Sequence, residues 1–330
     1  MAEGLNRMTT TDHQATLTVV AEFPQQFFLE NLAVRADGSM LVTVQNHRQL
    51  WFVPTPVRGG QVQPLLLDTF DFNTTFVVEW KPERFLLGVA DVYDSLQAKL
   101  YEIDLRDWSP GTAIAPRHLL DFPRPWRGLN GACLVAPNVL LAAGMAGLVW
   151  RVDLEGDAGV GARVWLEHDT MKNRPGEKKP EQPGTNGVQY DATRGYLYYT
   201  CTSQQLMLRV KVDRDSHEPA DLPEFIAGGR EWDDFLIDAV AGLAYATTHR
   251  ENTIDRVVLE HDGNRRGRTV IAGEPFTPTL VGPSAGAWGR EAGDYGNIAY
   301  FLTDGGTAEP PDGVFRTAKV LRVELPSVVG

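Results

Sequence analysis

The sequence predicts an all-β protein: a six-bladed β-propeller with four antiparallel strands per blade. Three observations carry that reading. Apolar residues alternate with period two, and no stretch sustains a helical period. Turn signals rich in Gly, Asn, Asp and Pro separate the apolar runs. The same strand–turn–strand unit returns six times, every ~45–55 residues, which is the spacing of propeller blades.

The units follow in order. The first runs from Glu30 to Val34, turns at Ala36-Asp37-Gly38, and continues through Met40–Val44 and Gln49–Val53. The second has Phe76-Val77-Val78, a turn at Lys81-Pro82-Glu83, then Arg84–Ala90 and Lys99–Leu105. The third has Gly131–Val135, Ala136-Pro137-Asn138, Val139–Ala143 and Gly147–Leu154. The fourth opens on Gly184-Thr185-Asn186-Gly187, turns at Gly195, and ends with a strand from Leu206 to Val212. The fifth has Asp233–Asp238, Val240-Ala241-Gly242, Leu243–Thr247 and Thr253–Leu259. The sixth has Ala285–Gly289, a turn near Gly293, Asn297–Thr303 and Ala318–Leu325. Fourth strands are expected in Gln61–Asp68, Arg117–Phe122, Ala162–His168 and Thr269–Ala272. The alternating segment Ala15–Glu22 is expected to pair beside Val320–Leu325 and close the ring, leaving no free edge at the seam. A β-sandwich or two smaller β domains is the alternative. The unbroken repeat favours one domain over 14–330, after a flexible 1–13.

Composition excludes several classes. The 330 residues carry a net charge of -12, and no Lys/Arg cluster stands against it, so a nucleic-acid surface is not expected. Lys172–Lys179 and Arg265–Arg268 read as solvated loops. Met1–His13 lacks an apolar leader core, and the longest apolar run, Val139–Trp150, is too short to span a bilayer. A soluble, cytoplasmic protein is the expectation. Cys133 and Cys201 lie in strand patterns and are expected as buried thiols. The Pro/Gly-rich stretch Arg174–Gly184 reads as an exposed loop.

In a propeller the inner strands begin at one face and line the channel. The polar residues at those starts are Glu30, Thr75, Asn130, Asn186, Asp233 and Ser284. Two carboxylates and two amides meeting at one point suit a hard cation. The competing reading is that Asn130-Gly131 and Asn186-Gly187 begin turns; their recurrence beside Glu30 and Asp233 argues for a functional cluster. Aromatic residues gather near the expected mouth: Phe27, Phe28, Phe72, Phe76, Trp80, Trp126, Trp232 and Trp288. Packing between blades explains any one of them; together they suit an apolar ligand. His249 follows a fifth-unit strand and either lines a face or packs structurally. Gly282-Pro283-Ser284-Ala285-Gly286 has the spacing of a nucleophile elbow without its strand–elbow–helix context. The seven histidines form no HxxxH or HxH pair, and no phosphate loop occurs.

Glu30-Asn31-Leu32-Ala33-Val34, Leu129-Asn130-Gly131, Thr185-Asn186-Gly187-Val188 and Asp233 to Asp238 resemble the senescence-marker-protein/gluconolactonase/luciferin-regenerating-enzyme superfamily. Ala246 to Thr253 and Gly282-Pro283-Ser284-Ala285 look like its fungal branch. The resemblance covers Pro24 to Leu325 and implies the same six-bladed propeller. For lactonases of the superfamily it implies one divalent metal, calcium or zinc, held by Glu30, Asn130, Asn186 and Asp233, with Asp234 as rival for the last place. Gly144-Met145 departs from the pattern, replacing an Asp-Ser pair of many relatives. For the fungal branch, which includes hetero-Diels–Alderases joining a tropolone quinone methide to a humulene-type terpene, the resemblance implies an intracellular pericyclase of secondary metabolism without a cofactor. Such an enzyme works by positioning and hydrogen bonding. Its substrate contacts would be Phe28, Thr75, Trp80, Trp126, Trp232, His249, Ser284 and Trp288, with amide donors from Asn130 and Asn186. A metal-dependent lactonase is the second reading, and a non-catalytic propeller binding a ligand or partner is the third.

Overall fold

A computed structural model of the chain describes residues 14–57, 60–155, 159–174, 182–260 and 267–327. The expected flexible segment 1–13 and most of the Arg174–Gly184 loop lie outside the described residues. Strand β1 (Thr16–Gln25) comes first. Blade 1 is β2 (Leu29–Val34), β3 (Met40–Val44), β4 (Gln49–Val53) and β5 (Leu65–Thr69). Blade 2 is β6 (Asn73–Lys81), β7 (Arg84–Ala90), β8 (Ala98–Asp104) and β9 (Arg117–Asp121). Blade 3 is β10 (Ala132–Ala136), β11 (Val139–Gly144), β12 (Leu148–Asp153) and β13 (Gly161–Glu167). Blade 4 is β14 (Thr185–Asp191), β15 (Tyr196–Cys201), β16 (Leu206–Lys211) and β17 (Glu224–Gly228). Blade 5 is β18 (Phe235–Asp238), β19 (Leu243–Thr247), β20 (Thr253–Val258) and β21 (Arg268–Gly273). Blade 6 is β22 (Pro283–Trp288), β23 (Ile298–Thr303), β24 (Thr317–Glu324) and, on the outside, β1. Every sheet is antiparallel, as the repeat predicts; five are simple meanders, and in the sixth the outer strand is β1. Only two short 3-10 turns, Asp169–Met171 and His249–Glu251, interrupt the strands of the described residues.

Alternation explains the packing. Successive side chains of a strand point to opposite faces, so each blade presents apolar residues to both neighbours. An apolar cluster fills each junction; Leu41, Phe52, Val77 and Phe85 pack between blades 1 and 2, and Trp232, Phe235 and Met207 between blades 4 and 5. Cys133 and Cys201 are buried free thiols, as expected. The second inner strand begins at Asn73 rather than Phe76: Asn73 and Thr74 pair with Ala90 and Val89 although both are polar. Among the described residues no helix is long and apolar enough to cross a membrane.

Strand β1 closes the ring. It pairs with β24 from Thr16↔Glu324 to Gln25↔Thr317 and buries Val20, Ala21 and Phe23. Phe23 meets the Trp51 ring of blade 1 edge-on at 5.4 Å. Replacing Phe23 by Ala removes that contact and leaves a cavity, at a cost of about 3–5 kcal/mol. The expected result is a lower urea midpoint at unchanged slope. A loss below about 0.5 kcal/mol, within the range of ordinary surface changes, would show that the seam contributes little.

Candidate functional site

The channel-facing residues sit in a repeated irregularity. In blade 1 Leu29 faces Val44 and Leu32 faces Val42, so Glu30 and Asn31 share the single partner Thr43. This is a β-bulge, which bends the strand and re-aims a side chain. The same two-for-one pairing sets Thr75-Phe76 opposite Gly88, Asn186-Gly187 opposite Thr200 and Ser284-Ala285 opposite Leu302. In blades 3 and 5 the pair stands just before the inner strand. Asn130 N–H donates to Ala143 O at 2.9 Å, and Ala143 N–H to Gly131 O at 2.8 Å. Asp233 N–H donates to Thr247 O at 2.9 Å, and Thr247 N–H to Asp234 O at 3.0 Å. Asn-Gly here does not begin a turn; it occupies the bulge.

Four of the six bulge heads, Glu30, Asn130, Asn186 and Asp233, line one cavity of about 350 Å³, together with Phe28 and His249. Thr75 and Ser284 do not line it. Their hydroxyls are buried and donate to backbone carbonyls, Thr75 to Gly88 O at 3.2 Å and Ser284 to Leu29 O at 2.5 Å. Ser284 is thereby unsuited to nucleophilic attack. The aromatic mouth is also corrected. Trp80 belongs to the core between blades 2 and 3, with Lys81 and Arg84 over its ring. Trp232 lies between blades 4 and 5, its indole N–H 3.3 Å from the Asp255 carboxylate. Trp288 packs on Tyr245 and Tyr295 and donates to Ile237 O at 2.9 Å. Trp126 sits under the Arg124 guanidinium, off the cavity. Phe27, Phe72 and Phe76 join blade-junction cores. Large rings bury most area between sheets, and that term decides their places. The cavity's apolar side comes instead from Phe28, Val92, Leu96 and Met145. Met145 stands at the Gly144-Met145 departure; Val92, Tyr93 and Leu96 come from the β7–β8 connection, where the sequence carried no repeating signal.

Electrostatics set the site apart. Burial first, then the charges of Asp233, Asp234 and Asp304, pushes the Glu30 carboxyl well above its ordinary range. Burial also raises Asp233, and carries Asp234 to about 7. Neither carboxylate oxygen of Glu30 has a hydrogen-bond or ion-pair partner among the described residues. Asn186 Nδ2 donates to Thr202 Oγ1 at 2.8 Å and to Asp233 Oδ1 at 2.6 Å. Thr202 spends its own proton on Trp232 O, which fixes the amide orientation. Asn186 Oδ1 is left buried without a donor. Such an orphan acceptor is costly in isolation. Beside two carboxylates it fits a hard cation, which takes amide and carboxylate oxygens alike. No group of three or more His, Cys, Asp and Glu side chains forms a metal site among the described residues, so an ion depends on the amides as well as Glu30 and Asp233.

Asp234, the expected rival of Asp233, points elsewhere: it accepts from Asn31 Nδ2 at 2.9 Å, tying blade 5 to blade 1. Its room is made by Gly187, where an added Cβ would lie 2.5 Å from Asp234 Oδ1 and 2.9 Å from Asp234 Cα. Gly187→Ala therefore overpacks the axis, at about 1–3 kcal/mol. It is expected to lower the melting temperature; an unchanged melt would refute the crowding argument.

No protein-family model matches the chain, and no curated protein matches it. Solved structures do. Luciferin-regenerating enzyme superposes with a TM-score of 0.67 at 11% identity, over 96% of this chain and 98% of its own. Regucalcin of Agrobacterium tumefaciens, a calcium-binding protein, gives 0.59 at 15%, over 94% and 99%. A gluconolactonase of Xanthomonas campestris gives 0.61 at 13%, over 94% and 90%. At these identities the likeness concerns architecture, and a shared fold does not fix chemistry. The chain is a six-bladed propeller of the architecture shared by luciferin-regenerating enzyme, regucalcin and gluconolactonase.

Proposed function

We propose that the chain is a hydrolase of cyclic esters that works in this cavity with a divalent cation at Glu30, Asn130, Asn186 and Asp233. The observation that carries it is the state of Asn186. Both amide protons are committed to Thr202 and Asp233, while Oδ1 lacks a donor. This side chain is an available acceptor and a spent donor, which supports a ligand role over a hydrogen bond to substrate. An all-oxygen set favours calcium over zinc. A bound cation supplies a Lewis acid that polarises the ester carbonyl. Asp233 is held in place by Asn186, and Glu30 offers an unpartnered carboxylate. Phe28, Val92, Leu96 and Met145 give the ring an apolar side to rest on and exclude water from it. The likeness to gluconolactonase agrees with this class of substrate.

The pericyclase reading keeps one supporting observation, the same apolar side of the cavity. It lacks the tryptophan wall and the Asn186 donor on which it was built.

Protonation gives a test. Glu30, Asp233 and Asp234 have folded-state pKa values raised above their unfolded ones. Their contribution to stability is complete below pH ~4 and is lost as pH rises through the folded values, about 7 for Asp234. A cation binds only the deprotonated carboxylates and offsets that loss. Calcium is thus expected to raise the melting temperature more at pH 8 than at pH 5, and Asp233→Asn to abolish the effect. Glucono-δ-lactone and dihydrocoumarin, followed by acid release, are the first substrates to try. Chelation or Glu30→Gln should lower the rate by about a hundredfold or more, the loss of several kcal/mol of transition-state stabilisation. Hydrolysis untouched by both changes, with no calcium shift at either pH, would sink the proposal.

A further inference from the structure

His249 and Asp304 form a pair that the cation reading does not use. His249 opens the 3-10 turn His249–Glu251 with φ 42, a left-handed conformation that few residues other than glycine adopt. Such strain persists where the surroundings impose it, often at functional sites. Here Asn252 N–H closes on His249 O at 3.1 Å, Thr248 and Thr253 bond to each other behind it, and the Phe28 ring lies 5.0 Å from the imidazole. The ring lines the cavity with Glu30 and Asp233.

Asp304, 55 residues on and in the next blade, orients that ring. Its Oδ2 lies 3.2 Å from His249 Nε2 and accepts Ala308 N–H at 2.9 Å, while Oδ1 accepts Gly306 N–H at 2.7 Å. It is buried, and it is housed by Gly282: at φ +66 that residue leaves room for the carboxylate, whose Oδ1 is 1.6 Å from where a Cβ would stand. With Nε2 engaged by Asp304, the other ring nitrogen, Nδ1, has no partner among the described residues. A histidine serving packing alone gains nothing from an unpaired nitrogen on a ring that lines a cavity. A buried carboxylate behind an imidazole fixes its tautomer and orientation and stabilises the imidazolium, so the opposite nitrogen becomes a directed base.

We propose that His249, positioned by Asp304, is the proton carrier of this cavity. The step rests on the ester-hydrolase reading and balances with water as co-reactant. As the water oxygen bonds to the lactone carbonyl carbon, its proton passes to His249 Nδ1. As the ring C–O bond breaks, that proton passes to the departing alkoxide, and the product is the open hydroxy acid. His249 is the catalytic residue and Asp304 the positioning residue.

His249→Gly suits the left-handed backbone and leaves a space the size of an imidazole. With dihydrocoumarin as probe, kcat is expected to fall by about 10²–10⁴-fold at nearly constant KM. Free imidazole should restore part of it, which a purely structural role would not allow. Asp304→Asn should lower kcat without raising KM. His249→Asn, also compatible with positive φ, should keep the fold and the calcium-induced stabilisation but not the rate. Retained kcat in His249→Gly, or loss without imidazole rescue in a variant that still melts cooperatively, overturns the assignment. Should the wild-type protein open no lactone, the hydrolase reading fails, and labelling decides the dyad separately. Diethyl pyrocarbonate followed by mass spectrometry should then modify His249 quickly in the wild type and more slowly in Asp304→Asn. An unreactive His249, or an unchanged labelling rate, overturns the pair.

Discussion

Everything in this molecule depends on fitting six inner strands around one axis. Each strand meets that crowding with the same device, two residues facing one partner. The first residue of the pair turns toward the axis; the second presses on the neighbouring blade. That second place is held by Gly131, Gly187 and Ala285 in three blades, where little beyond a hydrogen or methyl fits. The blades are then stitched across the gaps: Gly131 N–H to Asn186 O at 3.1 Å, Thr200 Oγ1 to Asp233 O at 2.6 Å, Thr247 Oγ1 to Ser284 O at 2.7 Å, and Ser284 to Leu29 O. The irregularity that lets the ring close is therefore the one that presents polar groups to the channel.

This explains how much the sequence discloses. The blades were legible because alternation and turn chemistry repeat, and the bulge heads were legible because they repeat at one place in each unit. Thr75 and Ser284 share that place but have short side chains, and a neighbouring carbonyl captures each hydroxyl first. The tryptophans were misplaced because nearness in sequence to a bulge says nothing about which face a side chain takes; burial area sends them between blades. Val92, Tyr93 and Leu96 lie in a connection that repeats nowhere. The His249–Asp304 pairing joins separate blades, and neither residue heads a bulge, so no local pattern could reveal it.

The site is bought with local instability. Glu30, Asp233 and Asp234 are three carboxyl groups gathered in one buried region, and repulsion between neighbouring carboxylates adds to desolvation there. An apolar core at every blade junction supplies the stability that tolerates this arrangement. Such a division is common: a frame over-determined by packing carries a few groups held in states they would not choose alone.

The seam between β1 and β24 has a consequence for how the ring is made. Thr16 and Glu324 are partners although nearly the whole chain separates them. Strand β1 must wait for β24, and until then blade 6 lacks its outer strand and blade 1 lacks the Phe23 contact. Closure is thus the most non-local event in the assembly, the kind that slows folding and leaves sheet edges open to wrong partners. The ring behaves like a belt whose buckle is divided between its two ends.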